Sequence, residues 1–327
     1  MKILFVSPVG AMFSGAEVAI VNLMKLLVQQ GHEVYNVIPD NAPHIDKDYL
    51  RHMDITGIKL FQLKTNQWWW PESKTLDILD LEIQASQQKN IEEVREIIQN
   101  EQIELVISNT VNVFQGAIAA ACEKVRHFYI IHEFPFGEFG YYKELIPLID
   151  DLSDKIFVVE GELYQTLTNY FTTDKLIPFI PYTEVQERPL KNSTISRFVS
   201  IGGINERKNQ LELLTAYNHL NRKDIELVFI GGWDEQYKKL MDDYIQTHHL
   251  DHVTFVGFHS DPWSLVTEKD ILVLPAKLET FSLVFVESVL NGVPAIISDN
   301  LGHLSSSRFL ESGNLYPLGE RDLLSQQ

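Results

Sequence analysis

Residues 3–38 read ILFVSPVGAMFSGAEVAIVNLMKLLVQQGHEVYNVI, and this stretch decides the fold class. A short apolar run over 3–7 predicts a buried strand, an amphipathic stretch over 16–30 closed by Gly31 predicts a helix, and 33–38 predicts a second strand. That order is a βαβ unit. Its continuation argues for a parallel sheet with helices on both faces: a helix over 91–99 opened by the capping box Asn90-x-x-Glu93, then strands over 104–108, 127–131 and 156–159.

Between 178 and 196 the periodicity breaks at Pro178, Pro181, Pro189 and the polar run Lys191-Asn192-Ser193-Thr194. A domain boundary placed there separates residues 1–185 from 186–327. The pattern then restarts, with strands over 197–201, 225–230, 253–256, 271–274 and 295–298 and helices over 210–220, 235–247 and 282–291. The expectation is two Rossmann-like, doubly wound α/β domains facing across a cleft where the carboxyl ends of both sheets meet. No short-period repeat or low-complexity tract is present.

Composition narrows the function classes. With 45% hydrophobic and 22% charged residues the chain is ordinary globular material, and 327 residues suit two cores better than one. The 27 basic and 45 acidic residues give a net charge of −18, which repels nucleic-acid backbones and anionic lipid surfaces. Any anionic ligand therefore needs a local cluster of cations and backbone N–H groups. The single cysteine, Cys122, can form no internal disulfide, which fits a reducing cytoplasm. The apolar start is interrupted by Pro8 and Gly10 too early for a signal peptide, and no run approaches the ~18 apolar residues of a membrane span. Cytoplasmic location with at most peripheral membrane contact is the expectation. Oligomeric state is not legible.

Glu279 and Glu287 stand eight positions apart, leading into an otherwise apolar helix. Leu283, Glu287 and Leu290 fall on one helical stripe, so the Glu287 carboxylate needs a hydrogen-bonding partner to stay charged there. A glycosidase acid/base pair is opposed by geometry, because eight helical residues span ~12 Å, beyond the ~5–9.5 Å used in hydrolysis. The two carboxylates fit different parts of one extended ligand.

The run Gly202-Gly203-Ile204-Asn205-Glu206-Arg207-Lys208-Asn209 leaves a strand and enters a helix, with Asn209-x-x-Glu212 as a capping box. Arg207 and Lys208 then sit where the helix dipole disfavours cations by ~0.3–1 kcal/mol, and an anion seated among them reverses that penalty. Two solvated loop charges are the competing reading. Gly231-Gly232 and Gly257, beside Phe258, repeat the bare backbone at strand ends. In the first domain Gly15 allows close approach of a ligand, whereas Ser14-x-x-Glu17 makes Glu17 a helix-capping residue. Gly10 and Gly15 lack the dinucleotide-binding spacing. His132, directly after a strand, is a cleft candidate or a structural hydrogen-bonder. Trp68-Trp69-Trp70-Pro71 reads as packing or a loop anchor before an acceptor-stacking platform. The sequence has none of the common metal, phosphate-loop or nucleophile-elbow motifs.

Taken together, Glu279 to Ser288, Asn291-Gly292-Val293-Pro294 and Ser298-Asp299 resemble the E-x7-E block of the group 1, family four retaining glycosyltransferases of the GT-B fold. The Lys208 loop, the Ser14 to Glu17 loop and His132 follow in family order over essentially the whole chain. The resemblance implies that Glu287 binds ribose hydroxyls and Glu279 the donor sugar, while N–H groups around Phe281, Ser282 and Leu283 hold sugar and phosphate. It implies that Lys208 and Arg207 neutralise the diphosphate beside Gly202, Gly203, Gly232 and Phe258. Gly15 would approach phosphate or acceptor, and His132 would contact the transferring sugar, so the implied catalytic set is His132, Lys208 and Glu279.

No metal and no separate cofactor is implied; a nucleoside-diphosphate sugar is the donor, and a glycan or lipid-linked molecule of cell-surface polysaccharide assembly is the acceptor. Three departures stand out: Gly203 replaces an arginine, Thr280 and Ser282 replace glycines, and the chain stops at Gln327, short of the helices with which relatives cross back to the first domain. Gly203 and the short C-terminus are the grounds for the alternative, a non-catalytic GT-B module that binds nucleotide or glycan. An epimerase or phosphorylase of related fold is the third reading.

Overall fold

The computed structural model describes residues 1–12, 14–40, 45–66, 68–69, 78–172, 174–186 and 188–320. Two compact units divide the chain, Met1–Thr183 and Glu184–Gln327. The first runs β1 (Lys2–Val6), α1 (Gly15–Gln29), β2 (Glu33–Pro39), α2 (Lys47–Thr56), β3 (Lys59–Leu63), α3 (Ile78–Glu101), β4 (Leu105–Asn109), α4 (Gln115–Glu123), β5 (Arg126–Ile131), α5 (Ile146–Asp151), β6 (Lys155–Val159), α6 (Glu162–Leu167) and β7 (Leu176–Phe179). Its strands pair in the order β3-β2-β1-β4-β5-β6-β7, all parallel. Strand β1 shows why its sequence is apolar without alternation. Ile3 and Phe5 pack with Ile20, Val21 and Met24 of α1 on one face, while Leu4 and Val6 pack with Val94, Ile97 and Ile98 of α3 on the other.

The second unit repeats the design with β8 (Ser196–Ile201), α7 (Gln210–Leu220), β9 (Ile225–Ile230), α8 (Glu235–His248), β10 (Val253–Gly257), β11 (Asp270–Leu274), α9 (Leu283–Leu290), β12 (Ala295–Ser298), α10 (Leu301–Leu310) and β13 (Asn314–Tyr316). The order is β10-β9-β8-β11-β12-β13, again parallel throughout. Each unit is thus a Rossmann-like domain, consistent with the GT-B fold expected from the sequence.

Some elements differ from expectation. The capping box at Asn90 does not open a helix, because α3 already starts at Ile78. Asn90 is buried mid-helix, and its amide donates to the Lys64 carbonyl at 2.9 Å and to Glu93 at 3.0 Å, tying α3 to the end of β3. A side-chain bond to a tertiary partner has replaced a local one. Alanine-rich α4 and serine-rich α10 lack an amphipathic stripe and escape periodicity; α10 is set by Asn300, whose side-chain oxygen accepts the N–H groups of Gly302 at 3.0 Å and His303 at 3.1 Å.

Candidate functional site

A doubly wound sheet reverses its strand order at one point, and in the second domain that point lies between β8 and β11. The loops leaving these two strands, 202–209 and 275–282, consequently run side by side. The N–H of Lys277 donates to the Arg207 carbonyl across them at 2.8 Å. On the other flank the ladder continues past the strands, with Gly202 N–H donating to Ile230 and Ile204 N–H to Gly232, at 2.9 and 2.8 Å. Gly231, at φ +156°, makes this approach possible, since a Cβ there would lie 2.0 Å from the Gly202 carbonyl oxygen. Gln210 clasps the loop from inside: its amide donates to the Gly203 carbonyl at 2.9 Å and its oxygen accepts the Asn205 N–H at 3.3 Å. Asn205 in turn accepts the Lys208 N–H at 3.0 Å.

This scaffold presents Lys208 and Arg207 to Glu279. The Lys208 ammonium forms an ion pair with Glu279 Oε1, and Arg207 Nη1 stands 3.4 Å from the same oxygen while donating to the Leu278 carbonyl at 3.2 Å. The Glu279 side chain is only 12% exposed. Burial acts to raise its pKa, but Lys208 and Arg207 more than offset it, and the carboxyl is held below the ordinary 4.5. The floor beneath it is α10, packed so close that a Cβ on Gly302 would fall 2.2 Å from the Glu279 carbonyl oxygen.

The capping box expected at Asn209 is not formed. Asn209 has φ +59°, and its amide donates to Glu212 at 2.6 Å rather than its oxygen accepting a backbone N–H; the other Glu212 oxygen accepts the Gly319 N–H at 3.1 Å. Ser282, at the start of α9, also sits at φ +59°, a conformation glycine adopts freely and serine holds at a cost on the order of 1 kcal/mol. Its neighbour Phe281 is buried. Gly232 adjoins Phe258, whose ring is 62% exposed.

Glu287 does not lie on a buried stripe. The buried residues of α9 are Phe285 and Ser288, Leu290 is exposed, and Glu287 is half-buried to one side. The partner its charge requires is Trp263, on the 3-10 turn Pro262–Leu265, whose indole N–H donates to Glu287 Oε2 at 2.7 Å. A cavity of about 10 Å³ gathers Lys208, Glu279, Ser282 and His303, and Glu287 is outside its lining.

The remaining candidates belong to the first domain. Gly15 opens α1, and the capping box before it is not formed: the Ser14 hydroxyl donates to the Glu17 carboxylate instead of accepting a backbone N–H. His132 is buried at the end of β5 with Nε2 3.1 Å from Asn109 Oδ1, and burial lowers its pKa to about 4. Beside it Glu133 is pushed up to about 8, chiefly by burial and further by Glu17, although it accepts the His132 and Val111 N–H groups at 3.0 and 3.3 Å. Trp68 and Trp69 are loop anchors, their indoles donating to the Ser7 and Pro8 carbonyls at 3.0 and 3.3 Å. Trp70 and Pro71 lie outside the described residues. Among the described residues no group of three or more His, Cys, Asp or Glu is placed to hold a metal ion, and no helix is long and apolar enough to cross a membrane.

Known proteins can now be set beside this geometry. Residues 182–326 match the family of glycosyl transferases group 1. A putative glycosyltransferase of Bacillus subtilis, EpsD, is 28% identical over 154 residues, which cover 45% of this chain and 40% of that protein's length. The chain thus spans less than half of that curated relative. Among solved structures, Anabaena HepE in complex with UDP and glucose superposes with a TM-score of 0.78 at 17% identity, over 100% of this chain and 88% of that one. A glycosyltransferase from Rickettsia africae gives 0.74 at 15% identity, over 99% and 86%. At these identities the structural likeness establishes the fold.

Sequence reasoning missed Trp263, His303 and Glu133. Trp263 and Glu133 come next to turns, where periodicity is silent, and His303 lies in a serine-rich stretch that reads as loop. A carboxylate set in an apolar helix and needing a donor was the one signal pointing to Trp263.

Proposed function

We propose that the chain is a glycosyltransferase that moves a hexose from a nucleoside-diphosphate sugar to a glycan or lipid-linked acceptor, with retention of configuration, in cell-surface polysaccharide assembly. The observation that carries this reading is the cluster of Lys208, Arg207 and Glu279 at the switch point of the second domain. The first turn of α9 leaves N–H groups without intrahelical acceptors, so that helix start favours an anion. The group 1 match and the HepE complexes with UDP and with UDP-glucose support the choice of donor class.

Lys208 forms an ion pair with Glu279. A bound diphosphate takes over the lysine and releases Glu279 to accept hydrogen bonds from the sugar. Glu287, oriented by Trp263, accepts from the ribose, while Gly232 and Phe258 form the base end of the site and Gly202 and Gly203 the phosphate end. As the bond from the anomeric carbon to the diphosphate breaks, charge grows on the departing oxygen beside Lys208 and Arg207. The acceptor oxygen bonds to the same carbon on the same face, and its proton passes to the departing phosphate.

The test is a melting-temperature panel of nucleoside diphosphates with the purified chain. A member present at about 100 times its Kd adds about 2.7 kcal/mol of stability, a rise of several degrees. Flat responses across the panel remove the reading. Product analysis by mass spectrometry then separates transfer from binding without transfer, the outcome that favours a non-catalytic module.

A further inference from the structure

His303 is fully buried on α10, and the reaction above gives it no part. Its Nδ1 lies 2.9 Å from the Ser298 carbonyl oxygen, which has no hydrogen to offer, so the ring proton belongs on Nδ1. The Asn300 amide nitrogen is also 2.9 Å from Nδ1, but its two hydrogens have the Ala276 carbonyl at 2.8 Å and Ser298 Oγ at 3.1 Å as acceptors. The Ser298 hydroxyl completes the set by donating to Ala276 at 2.6 Å. Nε2 is then a bare lone pair, and it has no protein partner although it is buried. Burial lowers the imidazole pKa to about 4, so the lone pair persists at neutral pH.

This orphan acceptor belongs to a residue lining the same cavity as Lys208, Glu279 and Ser282. The cavity, about 10 Å³, is the size that admits the centre of one water molecule, and a buried water needs two to four polar partners. We propose that this cavity is a specific water site in which one molecule donates to His303 Nε2 and to the Glu279 carboxylate while accepting from Lys208 or Ser282. His303 is then a positioning residue: through the water it fixes the carboxylate that meets the donor sugar. The site itself stands on the hydrogen-bond accounting, and only its role in sugar binding rests on the proposed function.

Two arms test it. A high-resolution crystal structure of the full chain should show a solvent peak at about 2.7–3.2 Å from Nε2, and nitrogen NMR of the imidazole should find Nδ1 protonated and Nε2 bare. An empty cavity, or a proton on Nε2, overturns the proposal. The second arm titrates UDP and UDP-glucose, or the corresponding pair selected by the melting panel. His303→Leu should weaken the sugar diphosphate about three- to tenfold and leave the free diphosphate within about twofold, with His303→Gln, which keeps an acceptor near the same place, restoring most of the loss. Equal loss for both ligands, or no rescue by glutamine, overturns the positioning role. If neither ligand binds the unaltered chain, the proposed function fails while the crystallographic and NMR arm still decides the water site.

Discussion

Lys208 is paired with the Glu279 carboxylate and is the cation assigned to the diphosphate of the proposed donor. Lys208→Ala should lower transfer by about 10²-fold and diphosphate affinity at least tenfold, checked by initial rates and calorimetric titration. Glu279 makes this pair visible through pH. Its folded pKa is below the ordinary 4.5, so the pair's stabilisation is complete above that value and disappears as pH falls through the folded one. Between about pH 5 and pH 3 the melting temperature should fall further for the wild type than for Glu279→Gln. Glu133 has the opposite sign. Its carboxyl, pushed from 4.5 to about 8, keeps a proton that the unfolded chain releases, so it erodes stability as pH rises across that interval. Glu133→Gln should flatten this dependence and raise stability at pH 8 by on the order of 2 kcal/mol, measured by urea denaturation at several pH values.

Strands β8 and β9 bring their carboxyl ends together only because Gly231 lets the two backbones touch, and α10 lies under the Glu279 loop only because Gly302 has no side chain. In both places a methyl group would meet backbone, which cannot swing aside as a side chain can. Gly231→Ala and Gly302→Ala should each cost about 2–4 kcal/mol, read from denaturation midpoints at constant m-value. Helix starts carry a different lesson. The residue pairs at Ser14, Asn90 and Asn209 all have the capping-box spacing, yet in each the first side chain donates to its glutamate instead of accepting a backbone N–H, and the Asn90 pair lies inside a helix. Spacing sets which side chains can meet along a helix; the tertiary partners, Lys64 and Gly319, decide which bonds they make.

The whole molecule has a net charge of −18, so the proposed donor would have to be held by a few local contacts at Lys208 and Arg207 against an unfavourable general field. Each domain has its own two-faced core. A fragment of residues 184–327 should therefore unfold cooperatively and keep measurable diphosphate affinity, checked by calorimetry with and without ligand; a fragment that binds nothing while the full chain binds counts against placing the donor in the second domain. The alternation of apolar strands with amphipathic helices was enough to specify parallel α/β domains, because burial on both faces leaves an unbroken apolar run that chain position cannot disguise. The same reading singled out Lys208, Arg207, Glu279 and Glu287, since glycine-rich strand ends and two acids leading into an apolar helix are chemical anomalies visible in one dimension. It could not find Trp263 beneath Glu287, His303 beneath Glu279, or Glu133 beside His132. The first two pairings join residues from separate elements, which only the folding of the sheet brings together, and the Glu133 carboxylate takes the N–H groups of both His132 and the distant Val111 only once the loops after β4 and β5 are packed side by side.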